Sequence, residues 1–381
     1  MKNQKISQIV NSCCLKFILL KKVLLRKQLI LPIIILSISS LMMTAFSPSK
    51  QGPQQPADWP SPRDYVAFAY DSGSNQIILF GGMVSLNPLQ VNNETWAYDV
   101  VEETWTLMKP STKPPRLAAA TMAYDSESDR VILYGGCGGG RGIFNDTWAY
   151  DYEANTWTKM SPGPKWHGGG RMVYDEGSDR MVLFGGIKFS TWSFYEDTWA
   201  YDYNSDSWVE MHPAIHPQVR NYQAMTYDSK EDLVLVSGTY GVDGMPDSTY
   251  NMWAYDLEVD SWEDKTSGDE ERLSLMYSTM AYDAESERSI LFGGVATDMV
   301  TEIGYDETWA YDYTDNTWEK MEPETNPGFL SRHFMVYVPS TDKMYLFGGL
   351  LCPESEPCQL SNELWTYDYD EDIWKNIGPV N

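Results

Sequence analysis

A chain of 381 residues would ordinarily divide into two or three domains. Its 15 Trp, 25 Tyr and 28 Gly favour strands and turns over helices. All 54 acidic residues follow residue 47 while seven of the 28 basic ones precede it. Residues 48–381 thus carry 21 basic against 54 acidic side chains, a net −33 that repels phosphate and excludes a nucleic-acid partner.

The first element in chain order is a leader. Residues 1–28 are basic (Lys2, Lys5, Lys16, Lys21, Lys22, Arg26, Lys27), and residues 29–46, LILPIIILSISSLMMTAF, hold no charge. As a hydrophobic helix rising about 1.5 Å per residue, that segment just spans a bilayer core of about 30 Å. It is longer than the apolar region usual in a cleavable signal, and a cleavage site is hard to place: Met43 spoils one ending at Ala45, and Pro48 follows Ser47. The Lys/Arg bias puts the N-terminus in the cytoplasm and the acidic body outside. Signal-anchor and cleaved signal peptide both remain open, and both export the body through a linker at 47–62. Residues 15–27 (LKFILLKKVLLRK) mix apolar and basic side chains and suit an anionic cytoplasmic leaflet.

The body is a repeat. Twelve Trp fall in six pairs, each nine residues apart: Trp96/Trp105, Trp148/Trp157, Trp199/Trp208, Trp253/Trp262, Trp309/Trp318 and Trp365/Trp374. Upstream of each pair a tyrosine (Tyr70, Tyr124, Tyr174, Tyr227, Tyr282, Tyr337) precedes a glycine by eleven residues. Those glycines open the pairs Gly81/Gly82, Gly135/Gly136, Gly185/Gly186, Gly293/Gly294 and Gly348/Gly349, whereas Gly238 is followed by Thr239. The unit recurs every 50 to 55 residues and parses into four short strands, a to d. In the second unit these are AATMAY, RVILYGG, DTWAYD and TWTKM, joined a–b and c–d by tight polar turns, DSESDR and DYEANT. Four antiparallel strands at this period predict a blade, and radial repetition of blades leaves only short sheet edges.

An apolar strand, a double glycine and two spaced aromatics resemble the kelch motif, whose period is near 50 rather than the shorter WD40 period. The resemblance runs from Arg63 to Trp374 in six copies. It implies an all-β, six-bladed kelch β-propeller over residues 63–378, with four antiparallel strands per blade. Glycine pairs would let backbones approach where strands crowd the axis, and each indole would fill the gap between twisted sheets. Nothing in the repeat tells how the ring is latched.

The same spacing sorts the loops. Loops a–b and c–d have constant length. From the first glycine to the next Trp, by contrast, the interval runs from 13 to 17 residues, and from the second Trp to the next strand-a Tyr from 17 to 20. Variable loops belong on the face where a ligand is met. There the third b–c loop offers Trp192, Phe194 and Tyr195, and the fourth Tyr240 and Tyr250, aromatics suited to a protein or glycan partner. Arg63, Arg116, Arg220 and Arg332, near the starts of strand a, could ring the same opening. In kelch propellers generally, basic residues there receive acidic ligands; in so acidic a body they would more readily pair with neighbouring carboxylates.

Cys352 and Cys358 bracket CPESEPC, close enough for a disulfide in an oxidising compartment. The acidic hairpins DEGSDR, DYNSDS and DYDEDI lack the glycine and distal glutamate of a calcium loop and read as a solvated face. Asn93 and Asn145 fit the glycosylation pattern, although turn formation explains them equally well. His167, His212, His216 and His333 share a face with Cys137. Pro213 and Pro217 deny HPAIHP the helix that would align a metal pair, and no GxSxG, HExxH or CxxC occurs. The expectation is therefore a binding module with no metal and no cofactor, tethered or secreted. The rival reading is a secreted sugar-active enzyme on the same ring, a copper oxidase resembling galactose oxidase or an epimerase of sialic acid.

Overall fold

A computed structural model describes residues 58–139, 142–165, 167–188, 193–217, 222–238, 251–266, 275–297, 302–353 and 357–379. These are strands and turns throughout, and no helix among them is long and apolar enough to cross a membrane. The hydrophobic segment at 29–46 lies outside the described residues.

Six four-stranded antiparallel sheets follow one another, each drawn from a single repeat in the order a-b-c-d. In the first, strand a is Ala67–Asp71, b is Gln76–Phe80, c is Thr95–Asp99 and d is Thr104–Met108. The inner strands of the other five are Thr121–Asp125, Arg171–Asp175, Ala224–Asp228, Thr279–Asp283 and Phe334–Val338. Each inner strand packs beside the next, and the sixth returns to the first, closing a six-bladed β-propeller. Short extra hairpins, such as Met83–Leu86 with Leu89–Val91, decorate the b–c loops.

Burial follows from this geometry. Strand b lies between neighbouring sheets and is apolar and buried on both faces (QIILF, RVILY, RMVLF). Strand d is the outer edge, and in TWTK only the Trp turns inward. The buried apolar residues accordingly form six clusters, one at each seam between blades, and a seventh at the axis.

At five of the six seams the strand-d indole lies against an aromatic residue that ends the preceding blade's strand b. Trp157 meets Phe80 at 5.3 Å, Trp208 meets Tyr134 at 4.9 Å, Trp262 meets Phe184 at 4.8 Å and Trp374 meets Phe292 at 4.8 Å. Those indoles also donate to a threonine at the start of the preceding blade's strand c: Thr95, Thr147, Thr198 and Thr308. The fourth blade, which lacks the second glycine, also has Ser237 and Met252 at these two positions, so Trp318 packs beside Met252 in an aliphatic seam.

The second glycine of every pair lets backbones approach: a Cβ there would stand 2.8–3.3 Å from the carbonyl of Asp64, Ala118, Gly168, Met276 or Ser331, on the chain that enters strand a of the same blade. In three blades the second glycine serves the seam, donating to the residue that leads into the next blade: Gly82 to the Leu117 carbonyl, Gly294 to Leu330 and Gly349 to Arg63, at 2.9–3.0 Å. A Cβ on Gly81 would stand 2.5 Å from the Leu117 oxygen, and both glycines have positive φ. The Gly136 amide makes no such bond to the following blade among the described residues. A Cβ on Gly136 would lie 3.0 Å from the Ala120 Cβ, and one on Gly186 3.1 Å from the Gly170 nitrogen.

The ring is latched from the N-terminal side. The Trp59 indole donates to the Asn362 carbonyl and the Asn362 amide to the Pro60 carbonyl, while the Arg63 amide donates to Ser361. Among the described residues no strand is exchanged between the first and last blades.

Candidate functional site

Five residues before each strand-a tyrosine, the chain turns into the left-handed region: Tyr65, Ala119, Gly169, Tyr222, Tyr277 and Arg332, with φ from 52° to 74°. These six meet at the axis on the face of the b–c and d–a loops. Each backbone amide points to its neighbour's carbonyl, and five hydrogen bonds of 2.9–3.3 Å run around the ring; the link from Gly169 to Ala119 is not among them.

The side chains above this ring plug the axis. Tyr65, Tyr222 and Tyr277 stand 4.6 to 6.0 Å apart, and the Arg332 guanidinium lies 5.2 Å from two of them. Asp64, fully buried, faces Arg332 at 3.6 Å. Burial pushes the Asp64 carboxyl up to about 7, with the guanidinium only partly opposing it.

Behind the plug the six inner strands enclose a well of about 400 Å³, which runs from Gln223 and Ser278 at its inner end to Ser72, Ser126 and Ser229 at the a–b turns. It is closed towards the variable loops and open at the constant hairpins, the reverse of what loop length suggests. Just inside the plug, Arg171 of the third blade crosses the axis and stacks on Phe334 of the sixth, 4.3 Å from the ring centre.

Two of the arginines pair with carboxylates, as expected in so acidic a body, and do not ring an opening. Arg63 is fully buried and bonds Glu94, Ser61 and the Gly81 carbonyl, so it holds the latch. Arg332 is buried in the plug, and Arg116 is exposed. Counted back from the strand-a tyrosine, Arg63, Arg116 and Arg332 stand at seven, eight and five residues, so the repeat does not bring these three to equivalent places. Arg220 lies outside the described residues, as do Trp192, Tyr240, Tyr250 and Thr239.

Phe194 and Tyr195 are partly buried at the third b–c loop. Tyr195 stacks on His167 at 3.9 Å and donates to the Lys165 carbonyl. His167 takes the position of Arg63 in its own blade: one ring nitrogen meets Asp197 at 2.9 Å, the other the Lys165 carbonyl. Carboxylates two residues before the strand-c Trp repeat this device, binding that indole and a neighbouring Arg, His or Lys; Glu94, Asp197 and Glu307 all do so. His333 is buried against Phe292, while His212 and His216 are exposed.

On the opposite face, Asp125, Glu127 and Asp179 bring carboxylate oxygens within 4.8 Å of one another. The Asn204 amide bridges Glu127 and Asp179, and Asp125 accepts the Ser128 amide, so turn chemistry accounts for the cluster. Cys352 and Cys358 form a disulfide beside the last b–c loop.

The chain matches the KLHDC2/KLHL20/DRC7 kelch-repeats domain over residues 40–238 and 161–349. It belongs to the kelch-repeat family. Among curated proteins it is similar to Mei4-dependent protein 6 of Schizosaccharomyces pombe, with 24% identity over 171 residues. That match covers 41% of this kelch chain and 24% of the yeast protein, so the likeness concerns a part of each. A kelch repeat accounts for the paired indoles of all six units and the paired glycines of five.

Proposed function

We propose that this kelch propeller works by binding a protein partner outside the cytoplasm, with the b–c and d–a loop face as its contact surface. The observation that carries this reading is the contrast between faces: hairpins of constant length on one side, and on the other loops of varied length bearing Trp192, Phe194, Tyr195, Tyr240 and Tyr250. A glycan partner would use the same aromatics. Export is supported by the basic residues before an uncharged 29–46 segment, and by the Cys352–Cys358 disulfide, which suits an oxidising compartment.

Binding is favoured over catalysis by how the candidate groups are spent. His167 has both ring nitrogens engaged, and His333 sits inside a seam. Full-length chain displayed on cells, with Trp192, Phe194 and Tyr240 changed to Ala, should lose the partner recovered by cross-linking. Val101→Ser and Val259→Ser, on the exposed outer hairpins, should leave recovery intact. Equal recovery from both sets of variants would place the contact elsewhere. Protease added to intact cells should degrade the propeller, and full protection would refute export.

A further inference from the structure

The propeller is strongly acidic, and among the described residues the other buried or partly buried arginines have carboxylates: Arg63 pairs with Glu94, Arg130 with Asp151, Arg180 with Asp202, Arg288 with Asp312 and Arg332 with Asp64. Arg171 does not. Its Nε donates to the Gln223 carbonyl and one face of its guanidinium lies on Phe334. Among the described residues no carboxylate stands within ion-pair distance, and no acceptor engages either terminal nitrogen. Burial lowers this guanidinium to about 10, still cationic near neutral pH, and the little exposure it keeps is to the well. A charge at the bottom of a cavity with unused donors is an uncommon arrangement, because an uncompensated buried ion is costly.

We propose that the well is a binding site for a small monocarboxylate, entering from the hairpin face and placing its carboxylate on Arg171. The terminal nitrogens of a guanidinium match the two carboxylate oxygens. The Thr279 hydroxyl also lines the well, is buried with no hydrogen-bond partner among the described residues, and can donate to a carboxylate. A volume of about 400 Å³ holds a small organic molecule but not a folded partner. Ala69, Ala123, Val173, Ala281 and Val336 give the walls an apolar character suited to a neutral tail.

The tail sets the selectivity. The walls suit an apolar chain, and Glu176 is the one carboxylate among the residues that line the well. Phosphate brings a second charge and no tail to bury, so it gains less there than a single carboxylate on a short alkyl chain.

The test is calorimetric titration of the full chain with octanoate, octanamide and inorganic phosphate at fixed ionic strength. Octanoate should bind with a stoichiometry of one, and octanamide and phosphate at least about tenfold more weakly. Arg171→Met should abolish octanoate binding. Ala123→Met, which narrows the well without touching the arginine, should weaken it and serves should Arg171→Met fail to fold. Equal affinity for octanoate and octanamide would overturn the proposal, as would octanoate binding retained in both variants. Phosphate binding as tightly as octanoate would overturn the monocarboxylate assignment.

Discussion

A single residue type recurs at the tightest turns. In both hairpins of a blade, the residue five positions after a tyrosine has positive φ, and in ten of twelve hairpins it is Asn or Asp and accepts that tyrosine's hydroxyl at 2.7–2.9 Å. The exceptions are Glu103 and Glu287, whose longer side chains tolerate the left-handed region less well. Glu103→Asn should therefore raise stability by about 0.5–1 kcal/mol in urea denaturation, through both the turn and a new acceptor for Tyr98. His333 gives a pH-dependent counterpart. Burial pushes its imidazole down to about 3, with the Phe292 backbone only partly opposing, whereas an unfolded chain titrates it near 6.5. Between those values the unfolded state binds more protons, so this contribution is whole above about 6.5 and is lost as pH falls towards 3. Asp64 acts in the opposite sense between 3.8 and about 7, its raised pKa favouring the fold at low pH. The wild-type slope therefore mixes the two. The informative quantity is the stability difference between wild type and His333→Gln, which should shrink as pH is lowered from about 7 to about 4; a constant difference would show that His333 does not titrate in this window.

At the scale of the strand and the seam, the strand-d indoles hold the blades apart at a fixed distance. Trp157 is 2% exposed, lies on Phe80 and bonds Thr95. Trp157→Ala should cost about 3–5 kcal/mol, read from the urea midpoint. These seams were legible in the sequence because tyrosine, glycine and tryptophan return at fixed intervals with the same chemistry. The plug was not, although its members also return at a fixed interval. Tyr65, Ala119, Gly169, Tyr222, Tyr277 and Arg332 share a backbone conformation, not a side-chain type, and a left-handed φ at Tyr or Ala leaves no mark in composition. Arg171 was hidden for the same reason. Its counterparts at the start of strand a are Ala67, Thr121, Ala224, Thr279 and Phe334, and only the circular arrangement sets it opposite the last of these. Variation in loop length pointed to one face, and it could not disclose that the axis is stoppered there.

For the molecule as a whole, closure is the step that makes six sheets one cooperative body. The first seam lacks the threonine found at most others: Leu364 stands there, and the Trp105 indole nitrogen is buried without a hydrogen-bond partner among the described residues. Trp59 packs edge-on against Trp105 at 6.2 Å, and Arg63 supplies the bonds that the seam itself does not. Arg63→Met should cost about 2–4 kcal/mol, since it strips several acceptors of a buried donor. Hydrogen exchange should rise first in Lys343–Phe347 and Ala67–Asp71, and uniform loosening of all six blades would show that this seam is no weaker than the rest.

Were the leader kept in a membrane, the latch would set which face of the disc the tether leaves from. The chain enters at Trp59 beside Asn362, on the loop side of the disc, and the twelve residues from 47 to 58 reach at most about 40 Å when fully stretched. With the leader retained in a bilayer, the aromatic loops would look down at the lipid headgroups across a gap of that height, and the hairpins would point away from the cell. A partner on the loop side would then have to be thin, or embedded in the same membrane, while small solutes would reach the mouth of the well unhindered.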